Sequence, residues 1–249
     1  MTKIYLNDNT VYFNVSGSVF TLYDPGRTVA AEIFSNQGYE PSVIDLLDRA
    51  HERQQPNTVF CDIGALHGYY PSLIRSRYPE WIVHAFEPNP IAYETLKYNF
   101  DLNTIRGEAY CLVMNDNGKS LHFKGRTIVS SSEPDFIIVN GITFDQFANK
   151  INIQNAIVKI DVHGAEGLVL SGMRNSLGTV AKDVLIEVHA QHLLVDLQTY
   201  ADMLELLGQG GLTVWEVANF RNQSKAELVP LVGINRDKFT DFSKWEKHK

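Results

Sequence analysis

From Thr58 onward the chain alternates between two hydrophobic periodicities, and no other feature narrows its fold as far. Short runs of β-branched and aromatic residues are each followed by a stretch with helical spacing. The strand candidates are residues 59–63, 81–86, 108–114, 156–161 and 184–189. Helical stretches fall at 69–78, 91–102, 165–177 and 196–207, and another opens after Thr143, a favourable N-cap residue. Pro90 suits an early helical position. Residues 212–217 and 228–234 read as final strands, with Pro230 better placed at an edge or bulge than in a central ladder. Such alternation builds a mainly parallel sheet with helices on both faces, an α/β fold.

The residues before Thr58 follow another pattern. Residues 11–15 and 19–23 read as a hairpin around Ser16-Gly17-Ser18. A helix from Glu40 then carries Val43, Leu46, Leu47 and Ala50 on one stripe. We therefore expect residues 1–57 to form a cap and residues 58–249 the catalytic-type domain. Residues 120–123 read as an antiparallel addition and 125–135 as a polar loop.

Composition sharpens the class. With 44% hydrophobic and 20% charged residues among 249, a sizeable core is available. The net charge of −7 argues against a general nucleic-acid binder, which needs a basic face. Two cysteines, Cys61 and Cys111, exclude a disulfide scaffold, and both sit in runs that read as buried strands. The first eight residues lack the apolar core of a secretion signal. No run approaches the roughly 18 apolar residues of a membrane span. The expectation is a cytoplasmic protein whose partner is a small molecule.

In a sheet of this kind ligands bind beyond the carboxyl ends of the strands. The first strand ends in Asp62-Ile-Gly64-Ala65-Leu-His-Gly68. This is neither G-x-G-x-x-G nor a phosphate loop. An acid before a glycine turn suits a cofactor without pyrophosphate, and a cationic one better still, although an ordinary tight turn has the same composition. The second strand ends at Glu87, 19 residues after Gly68, where related sheets place the acid that binds a ribose diol. Asn115 and Asp116 follow the third strand. They are placed either to face an adenine edge or simply to close an Asn-Gly turn. The fourth and fifth strands end in Asp161 with His163, and in Glu187 with His189, with His192 soon after. Two imidazoles and two carboxylates at adjacent strand ends can move a proton at neutral pH. Asp161, Glu187 and His189 could equally ligate a divalent metal.

Taken together these strings resemble the FkbM-type family of S-adenosylmethionine-dependent methyltransferases. The resemblance runs in order from about residue 39 to 215. It rests on Asp62-Ile-Gly-Ala-Leu-His-Gly-Tyr-Tyr, on Phe86-Glu-Pro-Asn-Pro, on Lys159-Ile-Asp-Val-His-Gly-Ala-Glu and on Ile186-Glu-Val-His. It implies a Rossmann-like class I fold with seven strands, the last antiparallel. The implied reaction is methyl transfer from S-adenosylmethionine to a hydroxyl of a sugar, glycan or natural product. By position, Asp62, Gly64, Ala65 and Gly68 would hold the amino-acid end of the cofactor and Glu87 the ribose. Among the catalytic candidates His189 ranks before His163 as base, Asp161 orients the acceptor or a metal, and Glu187 and Glu166 orient partners. Leu66 and His163 depart from the family, which commonly has Asn and Glu there. His163 adds a base, weakens a metal site, or marks a different acceptor. Two other readings stand beside this one: a catalytically silent relative kept as a binding module, and a nicotinamide-dependent oxidoreductase, which the missing G-x-G-x-x-G disfavours.

Overall fold

The computed structural model of the chain describes residues 2–5, 9–30, 41–52, 57–125, 127–189, 199–216, 228–235 and 246–247. In chain order the elements are β1 (Thr2–Tyr5), β2 (Thr10–Val15), β3 (Ser18–Tyr23), a 3-10 turn (Pro25–Arg27), α1 (Pro41–Glu52), β4 (Val59–Ile63), α2 (Tyr69–Arg77), β5 (Ile82–Phe86), α3 (Pro90–Leu102) and β6 (Gly107–Tyr110). Next come β7 (Val113–Met114), β8 (Leu121–Lys124), β9 (Thr127–Ile128), β10 (Ile137–Val139), β11 (Gly141–Ile142) and α4 (Phe144–Lys150). The chain continues through β12 (Ala156–Ile160), α5 (Glu166–Ser171), β13 (Ala181–His189), α6 (Tyr200–Gln209), β14 (Leu212–Glu216), β15 (Leu228–Asn235) and β16 (Glu246–Lys247).

The central sheet has the order β16-β14-β15-β13-β12-β4-β5-β6. Its five strands from β13 to β6 are parallel, as the alternation requires. β15 runs antiparallel to both β13 and β14. Among the described residues the sheet thus has eight strands rather than the expected seven, the eighth being the two-residue β16. Pro230 lies opposite Glu187 of β13, one residue past Leu231, the last β15 residue that pairs with β14. Among the described residues it is paired on one side only, where a residue without an amide proton is tolerated.

Two faces follow from the register. Ile63, Phe86, Ile160 and Ile186 form one row and point into a core shared with α4, α5 and α6. Ala85, Asp62, Lys159 and Leu185 form the adjacent row and point to the other face. That second face packs against α1, α2, α3 and the β2–β3 hairpin. One hydrophobic cluster includes Phe13, Phe20 and Leu22 of the hairpin, Leu46 and Leu47 of α1, and Phe60 and Ile157 of the sheet. Phe13 stacks on Phe20 at 5.2 Å, and both meet the Tyr69 ring edge-on. The expected stripe Val43, Leu46, Leu47 and Ala50 is buried.

Several expectations need correction. The third strand does not run on to residue 114. It leaves the sheet after Tyr110, and Val113–Met114 pairs instead with Gly141–Ile142. The cause is position: β6 is the sheet edge, so nothing beyond Tyr110 holds the chain in the ladder. Cys111 consequently sits in the break and is half-buried rather than in a buried strand. Residues 120–123 are antiparallel as expected, but in a separate sheet of order β10-β8-β9, and β9 interrupts the expected loop. The helix expected over 165–177 ends at Ser171 with Gly172 as its cap. In the last expected helix, residues 196–198 lie outside the described residues, and α6 starts after Thr199, which makes a capping box with Asp202. Thr143 caps α4 in the same way with Gln146. No described helix is long and apolar enough to cross a membrane.

Candidate active site

The order of the parallel strands reverses between β4 and β12, and a cavity of about 320 Å³ opens at their carboxyl ends. This volume falls within the usual range for small-molecule sites. Two loops flank it. In the first, Gly64, Leu66 and Gly68 all have positive φ, at 88°, 49° and 85°. Gly64 is required: a Cβ there would lie 1.9 Å from the Asp161 carbonyl oxygen. The two loops abut at that point, and the Asp161 amide donates to the Ile63 carbonyl at 2.9 Å.

Glu87 sits at the end of β5 and is buried. Its Oε2 accepts from the Leu66 amide at 3.0 Å and its Oε1 from the Asn89 amide at 2.9 Å. The carboxylate is thereby held at a fixed angle to the cavity it lines. Asn89 also caps α3, accepting from the amides of Ile91 and Ala92, and donates to the Gly125 carbonyl at 2.9 Å. One asparagine therefore ties the start of α3 to the wall of the cavity.

The second loop continues from β12. His163 has φ 52° and is exposed, and it lines the cavity mouth. Glu166 is fully buried. Both its carboxylate oxygens accept from the Gly164 amide at 3.0 Å, so it braces the turn and does not line the cavity. Asp62, Asp161 and Glu187 line the cavity beside Lys159. Lys159 Nζ donates to Asp161 Oδ2 at 3.1 Å and stands 4.7 Å from the centroid of the Tyr70 ring. This lysine is 5% exposed. Lys159 stands in a motif that carries the family resemblance, but it is not among the site residues expected from that motif. The signal was available, since a lysine inside an apolar strand must be paired to be buried.

The remaining expectations fare differently. Asp62, Gly64, Ala65, Glu87, Asp161, His163 and Glu187 all line one cavity. Gly68 does not. It caps α2 and faces Leu96 of α3, where a Cβ would lie 2.7 Å from Leu96 Cδ1. Asn115 and Asp116 are also outside the lining. Asn115 accepts from the Gly118 amide at 2.6 Å and donates to the Lys119 carbonyl at 2.7 Å, so its side chain closes the Asn-Gly turn. Asp116 is exposed. His189 ends β13, but its side chain and all of His192 lie outside the described residues.

No group of three or more His, Cys, Asp or Glu arranged to hold a metal ion is found among the described residues. Neither thiol is primed for nucleophilic work. Burial pushes the Cys61 thiol far up, helped by the charge of Asp62. Cys111 is raised by burial and then by Glu87 and Glu94.

What can the arrangement do? The cavity lining combines apolar residues, among them Phe86, Leu112, Val113, Met114 and Phe123, with four carboxylates, Asp62, Glu87, Asp161 and Glu187, and one lysine. That excess of negative charge favours a ligand carrying a positive charge.

Comparison with known proteins bears on the same residues. The profile of the methyltransferase FkbM domain matches residues 62–221. The comparison with curated proteins finds no match. Among solved structures, the chain is similar to the fibrillarin pre-rRNA processing protein of Methanococcus jannaschii, with 14% identity, a TM-score of 0.48, and 94% of this chain and 96% of that one covered. It is similar to precorrin-6y C5,15-methyltransferase from Geobacter metallireducens, with 11% identity, TM-score 0.43, and coverage of 76% and 85%. A third is TrmK of M. capricolum in complex with S-adenosyl-homocysteine, with 14% identity, TM-score 0.44, and coverage of 76% and 66%.

Proposed function

The chain belongs to the FkbM methyltransferase family, whose chemistry is S-adenosylmethionine-dependent methyl transfer, and on that premise we propose that it methylates a hydroxyl of a sugar, glycan or natural-product acceptor. One observation supports this reading above the others: a single cavity collects the acid-bearing ends of β4, β5, β12 and β13. The residues fit the cofactor. Glu87, gripped by two backbone amides, would hold the ribose hydroxyls. Asp62 and the Gly64–Ala65 backbone would hold the amino-acid end, and Leu112, Val113 and Met114 offer an apolar wall for the base.

The cofactor supplies a methyl group already activated on a sulfonium sulfur. This chain must then align an acceptor oxygen with that methyl carbon, and positioning of this kind contributes several kcal/mol. The sulfonium would leave as a neutral thioether as the acceptor oxygen takes the methyl group, so this chain must supply a base for the hydroxyl proton. Asp161, its Oδ2 held by Lys159, would orient the hydroxyl. Of the two histidines at strand ends, His163 lines the cavity, which supports it as the group that takes the proton. His189 is the competing assignment, from its position two residues past Glu187. A polar, acid-rich acceptor end suits a neutral polyhydroxylated molecule better than a phosphorylated one.

The test is isothermal titration of the purified protein with S-adenosylmethionine and S-adenosylhomocysteine. Both should bind, and Glu87→Ala should weaken each by about tenfold or more through the lost ribose bonds. No binding at millimolar ligand overturns the reading. With an acceptor in hand, replacing the base with Ala should abolish transfer and leave homocysteine-product affinity unchanged, which separates His163 from His189.

A further inference from the structure

The stretch that matches the family begins at residue 62, yet the N-terminal cap reaches into the cavity through Val29. We propose that Asp24 and His67 are positioning residues that couple the cap to the cofactor loop, so that docking of the cap and binding of cofactor strengthen each other. The proposal rests on the cofactor reading given above.

Asp24 is fully buried. Its carboxylate accepts from three donors on two separate pieces of the molecule. The Val29 and Ala30 amides of the cap donate at 3.2 and 2.8 Å, and His67 Nδ1 donates at 2.8 Å. His67, itself buried, stands inside the Gly64–Gly68 turn, next to Leu66, whose amide fixes Glu87. The other end of the same joint is closed by Asn99 of α3. Its amide nitrogen donates to the carbonyls of both Tyr23 and His67 at 2.7 Å, and its oxygen accepts from the Tyr23 amide at 2.8 Å.

A buried carboxylate is tolerated only when its hydrogen bonds are complete. Here the cap supplies two donors and the cofactor loop the third, so neither piece satisfies Asp24 alone. Order in the loop therefore favours order in residues 24–30, and the reverse holds by linkage. Val29, at the cavity wall, is the part of the cap that such coupling would present to the acceptor.

Hydrogen exchange on the full-length protein, with and without saturating S-adenosylhomocysteine, tests this. Exchange should slow both in residues 62–68 and in residues 24–30. Binding that leaves residues 24–30 unchanged overturns the coupling alone, whereas no binding at all overturns the cofactor reading and the coupling with it. His67→Leu removes the donor and should weaken product affinity by about tenfold, within the usual span of coupling energies. It should also abolish the protection of residues 24–30. His67→Asn keeps an N–H donor near Nδ1 and should restore both. A folded His67→Leu protein with full affinity and full protection would sink the proposal, since a merely structural bond would lower melting temperature without separating the two variants in affinity.

Discussion

At the residue scale, the site is built from backbone conformations that most side chains avoid. Gly64, Leu66 and Gly68 in one loop, and His163 with Gly164 in the other, all have positive φ. Such strain clusters where a scaffold holds a loop against its preference. Leu66 and His163 are also the two departures from the family pattern, and both lie in this left-handed region, where Asn is tolerated better than Leu. Leu66 offsets part of its cost by packing on the cap-side core. The glycines differ in what they permit. Gly17 has φ 90° with nothing within 4 Å of an added Cβ, so Gly17→Ala should cost about 1 kcal/mol. Gly64→Ala adds a backbone collision with Asp161 and should cost about 3 kcal/mol or more. Urea unfolding of both variants measures the difference, and equal losses would mean that the two loops can part cheaply. The sequence showed that Gly64 begins a turn. It did not show that the turn abuts β12, because that contact lies almost a hundred residues away.

At the element scale, α3 does more than cover the sheet. β3 is paired on one side by β2, and its other edge faces Asn99 of α3 and, one turn on, Asn103, which caps that helix. Asn99 exchanges two hydrogen bonds with the Tyr23 backbone, and Asn103 exchanges two with Thr21, at 2.8 and 3.3 Å. The helix thereby acts as a substitute strand for an otherwise open edge. Alternation along β3 brings residues 21 and 23 to the same side, which matches the helical step between the asparagines. Asn99→Ala should cost about 2 to 3 kcal/mol, because it leaves the part-buried backbone of Tyr23 and the buried His67 carbonyl without that partner. Asn103→Ala, half-buried, should cost about 1 kcal/mol. Guanidinium titration of the two variants checks the order, and a reversed order would place the important joint elsewhere. Helical spacing alone predicted α3, but an amide's usefulness to a strand 76 residues away is not a periodic signal.

At the scale of the whole molecule, the cap and the parallel sheet share a single hydrophobic cluster. A second tie reinforces it. Arg77 of α2 grips Asp48 of α1 with two bonds at 2.6 and 2.7 Å and reaches Ser16 and Ser18 of the hairpin, while the Tyr78 hydroxyl donates to Asp48 at 2.6 Å. Burial alone would raise the Asp48 carboxyl, but the Arg77 and Tyr78 hydrogen bonds bring it below its ordinary value. With core and ties in common, cap and sheet should unfold in one calorimetric transition, and Arg77→Ala should lower its midpoint without splitting it. A separate early transition would show that the cap folds by itself. The alternation of strand and helix, the glycine turn, Glu87 at its distance and the paired strand-end motifs were set by local chemistry, so the sequence by itself determined the α/β class, the family and the acid-bearing strand ends that line the cavity. The tertiary structure decided where β6 leaves the sheet, that Gly68, Asn115 and Glu166 serve turns and packing outside the cavity lining, and that Lys159, Asp24 and His67 are buried against polar partners. Those outcomes depend on which distant groups meet in the folded chain, and a buried charge acquires its meaning only from the partners that surround it.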